Sequence, residues 1–245
     1  MRPQSENMRE MAVEIRRSLA AMPVKNVPSF RILRRAWSKR LKNLPGTSII
    51  ALARRLVPLG PWERGAAYEI IEHHQGAQET LRPRDVVVLG RGMDSWGDVD
   101  GFACFVAGPA WRQHRIPESL VRSWATSPSC WWRRAALVCT VPLNSHARGG
   151  TGDTLRTLRI CRMLVHDQEE LVVKALSWAL RELSKRNPRA VEAFIERYHE
   201  VLSPRVKREV RNKLETGVKN PRRAASSSRG MNRKVDLRPP SGATR

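Results

Sequence analysis

The stretch Leu171-Val-Val-Lys174-Ala-Leu-Ser-Trp178-Ala-Leu-Arg181-Glu-Leu-Ser-Lys185 reads at the period of an α-helix. At about 100° per residue, Val172, Leu176, Ala179 and Leu183 stack on one side as a core-facing stripe. Lys174, Trp178, Arg181 and Lys185 fall within roughly 60° of one another on the opposite side. A solvated face is ordinarily charged and lacks Trp. An indole among three cations suits a surface that meets a polyanion carrying flat or sugar-like groups, and nucleic acid is the first candidate. The plainer alternative is a solvated helix with Trp178 packed on a neighbouring repeat.

The helical period continues outward from this segment. Glu6–Met22 reads as a first helix with Met8, Met11, Ile15 and Leu19 on one face. Pro28-Ser29 opens a second, and Pro45-Gly46-Thr47 ends it and caps a third. The Pro58 to Pro61 stretch breaks the next pair, and Pro61-Trp62-Glu63 starts a helix running to about His74. Val86-Val87-Val88 favours a strand locally, but the shortness of Arg82–Leu89 and its helical surroundings predict a short helix. Further helices are expected at about 94–107, 117–126, 129–141, 151–165, 168–186, 189–201 and 203–217. No strand pair or hairpin turn emerges. Antiparallel helix pairs at spacings of about 40 residues predict an all-α, HEAT-like helical-repeat solenoid with a concave basic groove. One domain over residues 1–218 is expected, followed by a disordered basic tail over 219–245. Asn144–Asp153, with Gly149-Gly150 and Gly152, reads as a flexible interhelical loop. No Lys-Ser/Thr follows it, as a phosphate cradle of the P-loop kind requires.

Composition narrows the partner. The 245 residues carry 45 Lys and Arg against 23 Asp and Glu, a net charge of +22. Residues 219–245 account for eight of the basic side chains and one acidic one, so the remaining 37 and 22 still leave the folded part strongly basic. Charge of this size steers association with phosphate backbones or anionic membranes. No stretch approaches 18 apolar residues and no signal-peptide core is visible, so membrane insertion is not expected. Cys104, Cys130, Cys139 and Cys161 lack C-x-x-C spacing and read as buried free thiols in a reducing cytoplasm. His73-His74 lack a second ligand pair, so neither a metal nor another cofactor is expected.

Two further clusters accompany the Trp178 face. In Met93-Asp94-Ser95-Trp96-Gly97-Asp98-Val99-Asp100, Trp96 and Asp100 are i and i+4 neighbours on a helix, with Asp94 placed to cap its start. Read alone, Asp100 also suits a pairing with a buried arginine. In Trp124-Ala-Thr-Ser-Pro-Ser-Cys-Trp131-Trp132-Arg133-Arg134, Arg134 falls on the apolar side with Trp131, Leu137, Val138 and Val141. Trp132 reads as packing. An arginine on an apolar side needs a carboxylate, a carbonyl or a bound phosphate, because an unpartnered buried charge costs several kcal/mol. A salt bridge and a phosphate contact both satisfy it.

With these residues assembled, the chain resembles the DNA alkylation repair family of HEAT-like-repeat glycosylases. The resemblance lies in Trp96-Gly-Asp-Val-Asp100, Trp124-Ala-Thr-Ser, Trp131-x-x-Arg134-Ala-Ala, and Lys174-Ala-Leu-Ser-Trp178-Ala-Leu-Arg181-Glu-Leu-Ser-Lys-x-Asn187-Pro188. It implies a monofunctional hydrolase that excises cationic N3- and N7-alkylated purines from duplex DNA without flipping the base. The same resemblance implies Asp100, Trp96 and Trp178 as the catalytic group. It assigns Arg134 and Arg181 to flanking phosphates, with Lys174 and Lys185 beside them on the DNA-binding surface. A DNA-associated monomer is expected. The alternative is a non-catalytic HEAT-like module that binds duplex or branched DNA.

Overall fold

The computed structural model describes residues 4–221, and the expected tail from residue 222 onward lies outside the described residues. Every regular element in that span is helical. Six helices pack each on the next: α2 (Val27–Leu41), α4 (Pro61–Glu72), α7 (Trp96–Phe102), α10 (Cys130–Val138), α13 (Glu170–Leu183) and α15 (Pro204–Thr216). They form the first layer. The second begins with α1 (Gln4–Ala20), α3 (Gly46–Leu56), α5 (Gln75–Thr80) and α6 (Pro83–Leu89), in which α3 packs on the other three. It continues through α8 (Gly108–Arg112) on α11 (Val141–Asn144) and α9 (Glu118–Ala125) on α12 (Thr154–Met163). The short α14 (Pro188–Arg197) packs on α13. This is the two-layer stacking of HEAT-like repeats, in which each pair buries its apolar stripe against its neighbours.

The local chemistry explains most boundaries. Pro28, Pro61, Pro83, Pro188 and Pro204 all sit in first turns, where the missing N–H costs nothing. Asn26, Asp153, Asn187 and Ser203 cap the helices that follow them through their side-chain oxygens. The expected first helix buries Met8, Ile15 and Leu19. Several expectations need correction. Thr47 does not cap α3, which begins at Gly46 with no side-chain cap. Gly46 is there for proximity, since a Cβ on it would lie 2.0 Å from the Gly76 carbonyl oxygen of α5. That six-residue helix was not anticipated.

The single helix expected over 94–107 is divided. After α7 the backbone widens into a π turn over Ala103–Ala107, in which the Gly108 N–H reaches back to the Ala103 carbonyl. Pro109 follows at once. It has no N–H to give to the preceding turn, and its ring crowds the carbonyl four residues earlier, which the wider turn relieves.

The Asn144–Asp153 segment is braced rather than loose. Arg112 Nη1 donates to the Gly149 carbonyl at 2.7 Å, while Arg186 donates to the carbonyls of Asn144 and Gly150 at 2.8 and 2.9 Å. Arg156 spends a nitrogen in the same way, on the Trp111 carbonyl at 2.8 Å. Cys104, Cys139 and Cys161 are buried free thiols, whereas Cys130 is only half-buried. Among the described residues no helix is long and apolar enough to cross a membrane.

Candidate active site and nucleic-acid interface

The helix that carries the Trp96/Asp100 motif is held at its start by a buried network. Ser95, not Asp94, is its cap: the Ser95 hydroxyl accepts the Asp98 N–H at 3.1 Å. Gly92, at φ +67°, turns the chain toward that cap. Arg64 of α4 grips the turn from below, donating to the carbonyls of Arg91 and Gly92 at 3.0 and 3.1 Å. Its Nε lies 3.8 Å from the Asp98 carboxylate. Arg64 also donates to the Tyr68 hydroxyl, which in turn donates to the Leu89 carbonyl at 2.8 Å. Burial pushes the Tyr68 phenol up to about 12, so it stays neutral. Arg64 drew no notice in the sequence, and Asp98 was seen only as one of three clustered aspartates, without a role of its own. The signal available was a second aspartate two residues before Asp100.

On this anchored helix Trp96 is 66% exposed, an unusual state for an indole. One turn further, Asp100 is partly sunk into the protein. Arg134 of α10 donates to both its oxygens, Nε to Oδ1 at 3.0 Å and Nη2 to Oδ2 at 2.8 Å. The third nitrogen, Nη1, donates to the Leu171 carbonyl in the first turn of α13 at 2.6 Å. The arginine therefore ties α7, α10 and α13 together at one point. Its side chain is 7% exposed against 20% for Asp100. Of the two partners the sequence left open, the structure has the carboxylate, and every guanidinium nitrogen is engaged. Burial holds the Asp100 carboxyl above the usual carboxylate range, while the hydrogen bonds and charge of Arg134 draw it part of the way back.

The face read first in the sequence is the open side of α13. From Val172 to Ser184 every residue is buried except Lys174, Trp178 and Arg181, and Lys185 beyond them is exposed. Trp178 does not stand clear as expected; it is half-buried against the core. Lys174 and Lys185 pair with Glu170 and Glu182 on their own helix, each at 2.7 Å. Both are more than a third exposed, so these pairs are weak and can yield to a phosphate. Arg181 is less available. Its Nε donates to the Ser177 hydroxyl at 3.2 Å and lies 3.9 Å from the buried Glu209 of α15. Ser177 in turn donates to Glu209 at 2.6 Å. The structure thus joins Asp100 to Arg134 and to the first turn of α13. It puts Trp96 on the helix of Asp100 and Trp178 on the helix reached by Arg134.

Behind the site, Trp124 and Trp132 pack in a tilted pair at 5.1 Å between ring centres and both close on Phe102, the last residue of α7. Trp132 is packing, as its place on α10 suggested. Arg133 points the other way and binds Asp167 at 2.6 Å.

A two-layer helical repeat with a carboxylate–arginine pair beneath an exposed indole, and a basic, Trp-bearing helix face, defines a nucleic-acid-handling class. The sequence profile of the DNA alkylation repair enzyme family matches residues 9–214, and the chain belongs to that family. Membership makes DNA its substrate class. No curated protein matches the chain significantly.

Proposed function

We propose that the protein is a monofunctional DNA glycosylase that hydrolyses the N-glycosidic bond of cationic N3- and N7-alkylated purines in duplex DNA. The observation that carries this reading is Asp100. It is a carboxylate with one protein partner, held above its ordinary pKa by burial, one turn from an exposed Trp96. An alkylated purine of this kind already carries a positive charge and leaves as a neutral base, so no general acid is required. What the protein must supply is stabilisation of the oxocarbenium-like sugar as the bond breaks.

Asp100 does this by charge. A carboxylate about 4 Å from the developing cation is worth on the order of 4 kcal/mol at an effective dielectric near 20. That amounts to roughly a thousandfold in rate. Arg134 takes a share of that field, but it fixes the direction of both oxygens and leaves each with a free lone pair for the sugar face or an attacking water. Trp96 and Trp178 add the attraction of their ring faces for the same cation. Lys174 and Lys185, freed from their weak pairs, and the remaining donors of Arg181 hold flanking phosphates. No lysine nucleophile enters, so no strand cleavage follows base release.

The test is release of 7-methylguanine from a duplex carrying one such lesion, comparing the native protein with Asp100→Asn. Duplex affinity and urea stability of the variant serve as controls for folding. Suppression of release by about three orders of magnitude, with binding kept, is the expected result. Tight duplex binding by the native protein with release no faster than the spontaneous rate would leave a non-catalytic DNA-binding module.

A further inference from the structure

The second layer carries a basic cleft that the glycosylase reading does not use. It lies between α3 and α6, has a volume of about 520 Å³, and is lined by Arg54, Arg55, Arg82 and Arg84 with Thr47 and Thr80. Its one carboxylate, Asp85, is already spent. One oxygen is held by Arg54 and the other accepts the Arg82 backbone N–H at 3.0 Å. Arg55, Arg82 and Arg84 have no ion pair or side-chain hydrogen bond among the described residues. A single exposed arginine in a basic protein needs no explanation. Three of them converging on one cleft, its only acid already satisfied, leave a local surplus of positive charge that repels itself until an anion arrives.

The shape of the cleft selects among anions. A neighbouring cleft of about 430 Å³ shares Thr47, Thr80 and Arg82 with it and runs on to His114 and Arg115. Glu79 also lines this second cleft and accepts from Gln75 at 2.8 Å; beyond it Arg82 and Arg115 carry the basic surface on as a track instead of closing around one small group. Guanidinium donors and hydroxyls along a track are the chemistry of a phosphodiester chain. Trp96, Asp100, Arg134 and Trp178 all belong to first-layer helices, whereas this cleft belongs to the second. The two sites are thus built on different layers of helices.

We propose that the cleft between α3 and α6 is a second phosphate-backbone site, so that the protein holds two segments of DNA at once. The proposal rests on the family's DNA substrate class and not on excision. Two consequences are measurable. The native chain brings together two separate short duplexes, and its affinity for DNA falls more steeply with salt than the first layer alone accounts for.

The experiment is energy transfer between donor- and acceptor-labelled duplexes as full-length protein is added, for the native chain and for Arg55→Ala/Arg82→Ala/Arg84→Ala. Arg54 is left in place because it holds buried Asp85. The expected result is bridging by the native chain and at least tenfold weaker bridging by the triple variant. The variant's plot of log affinity against log salt should be shallower by about two to three, at near one counterion per lost phosphate contact. Single-turnover release of 7-methylguanine from one short saturating duplex should stay within twofold. Absence of bridging by the native chain, or equal bridging by the variant, overturns the proposal. Inorganic tripolyphosphate bound by the native chain and not by the variant, with no bridging, assigns the cleft to free phosphates and overturns it as well. Bridging without any base release overturns the glycosylase reading alone.

Discussion

Asp100 and Glu209 are both carboxylates drawn into the first layer beside arginine, and their surroundings treat them in opposite ways. Glu209 is enclosed, with its side chain 3% exposed, and receives Ser177, Arg181, Arg205 and Lys219. Burial alone would raise its pKa, but the hydrogen bonds of Ser177 and Lys219 and the charges of Lys219 and Arg181 prevail and bring it below the usual value. Among the described residues Asp100 has Arg134 alone; it stays partly open, and its pKa is raised. A carboxylate saturated with donors is a rivet. One left short of positive charge in a half-open position awaits a cation, and perturbation of that kind gathers at functional sites. On the proposed glycosylase reading, the cationic sugar of a departing purine is the missing partner.

The largest expected effect breaks the comparison by function. Asp100→Asn lowers base release by about three orders of magnitude, whereas Glu209→Gln changes release per folded molecule by less than about tenfold. Single-turnover kinetics on one lesion-bearing duplex decide between them. Equal losses in both variants would mean that Asp100 is merely another rivet.

Stability gives the next largest effect. Glu209→Gln removes a buried charge from half-buried Arg181 and the more exposed Arg205 and Lys219, and should cost about 2 kcal/mol in urea unfolding. Asp100→Asn strands Arg134 but should cost less, because burial already disfavours the ionised form of the carboxyl that it replaces. Adding Arg134→Met to Asp100→Asn removes the stranded charge and should recover most of that loss. If the double variant is no more stable than Asp100→Asn, the pair is not the unit described.

The pH dependence sharpens the contrast through its sign. Folded Asp100 holds its proton more tightly than at the ordinary 3.8, so its ionisation costs stability as pH rises from 3.8 through the raised value. Folded Glu209 releases its proton more readily than at 4.5, so its contribution is present above 4.5 and lost as pH falls through the depressed value. Relative to Asp100→Asn the native chain should therefore fare better at acid pH, and relative to Glu209→Gln at neutral pH. Urea midpoints across this range give both signs, and a shared sign would erase the distinction. In the proposed mechanism base release needs ionised Asp100, so its acid limb should lie above the ordinary carboxylate range.

The smallest effect tests the frame around Asp100. Gly97 occupies the first turn of α7 with an ordinary φ, and a Cβ there meets nothing closer than the Ser95 hydroxyl at 3.8 Å. Gly97→Ala should add about 0.5 kcal/mol of stability and leave base release within about twofold. A large loss of release would show that the motif needs a looser helix than the one described.

Periodicity alone made the α13 face legible, and the three residues left open between Val172 and Ser184 all lie on the stripe predicted by arithmetic on the sequence. That signal is local, set by one helix and its core. The partner of Arg134 was not decidable in the same way. Asp100 lies 34 residues away on another helix, and an apolar-side arginine is equally served by a phosphate. Glu209 was invisible for the same reason, since its donors come from α13, from its own helix and from the turn beyond it. The cap at Ser95 and the π turn before Pro109 fell below the resolution of pattern reading, which places a helix but not its last few hydrogen bonds. The α3–α6 cleft escaped because Arg55 and Arg82 are far apart in the chain and only the fold makes them neighbours.

Arginine serves this molecule as mortar as well as bait. Arg64, Arg112, Arg134, Arg156 and Arg186 each spend guanidinium nitrogens on main-chain carbonyls of other segments. Bonds made at short range in partly dehydrated places are little affected by dissolved ions, whereas contacts between exposed side chains and phosphate are screened. Brine should thus strip the protein from DNA while leaving its architecture standing.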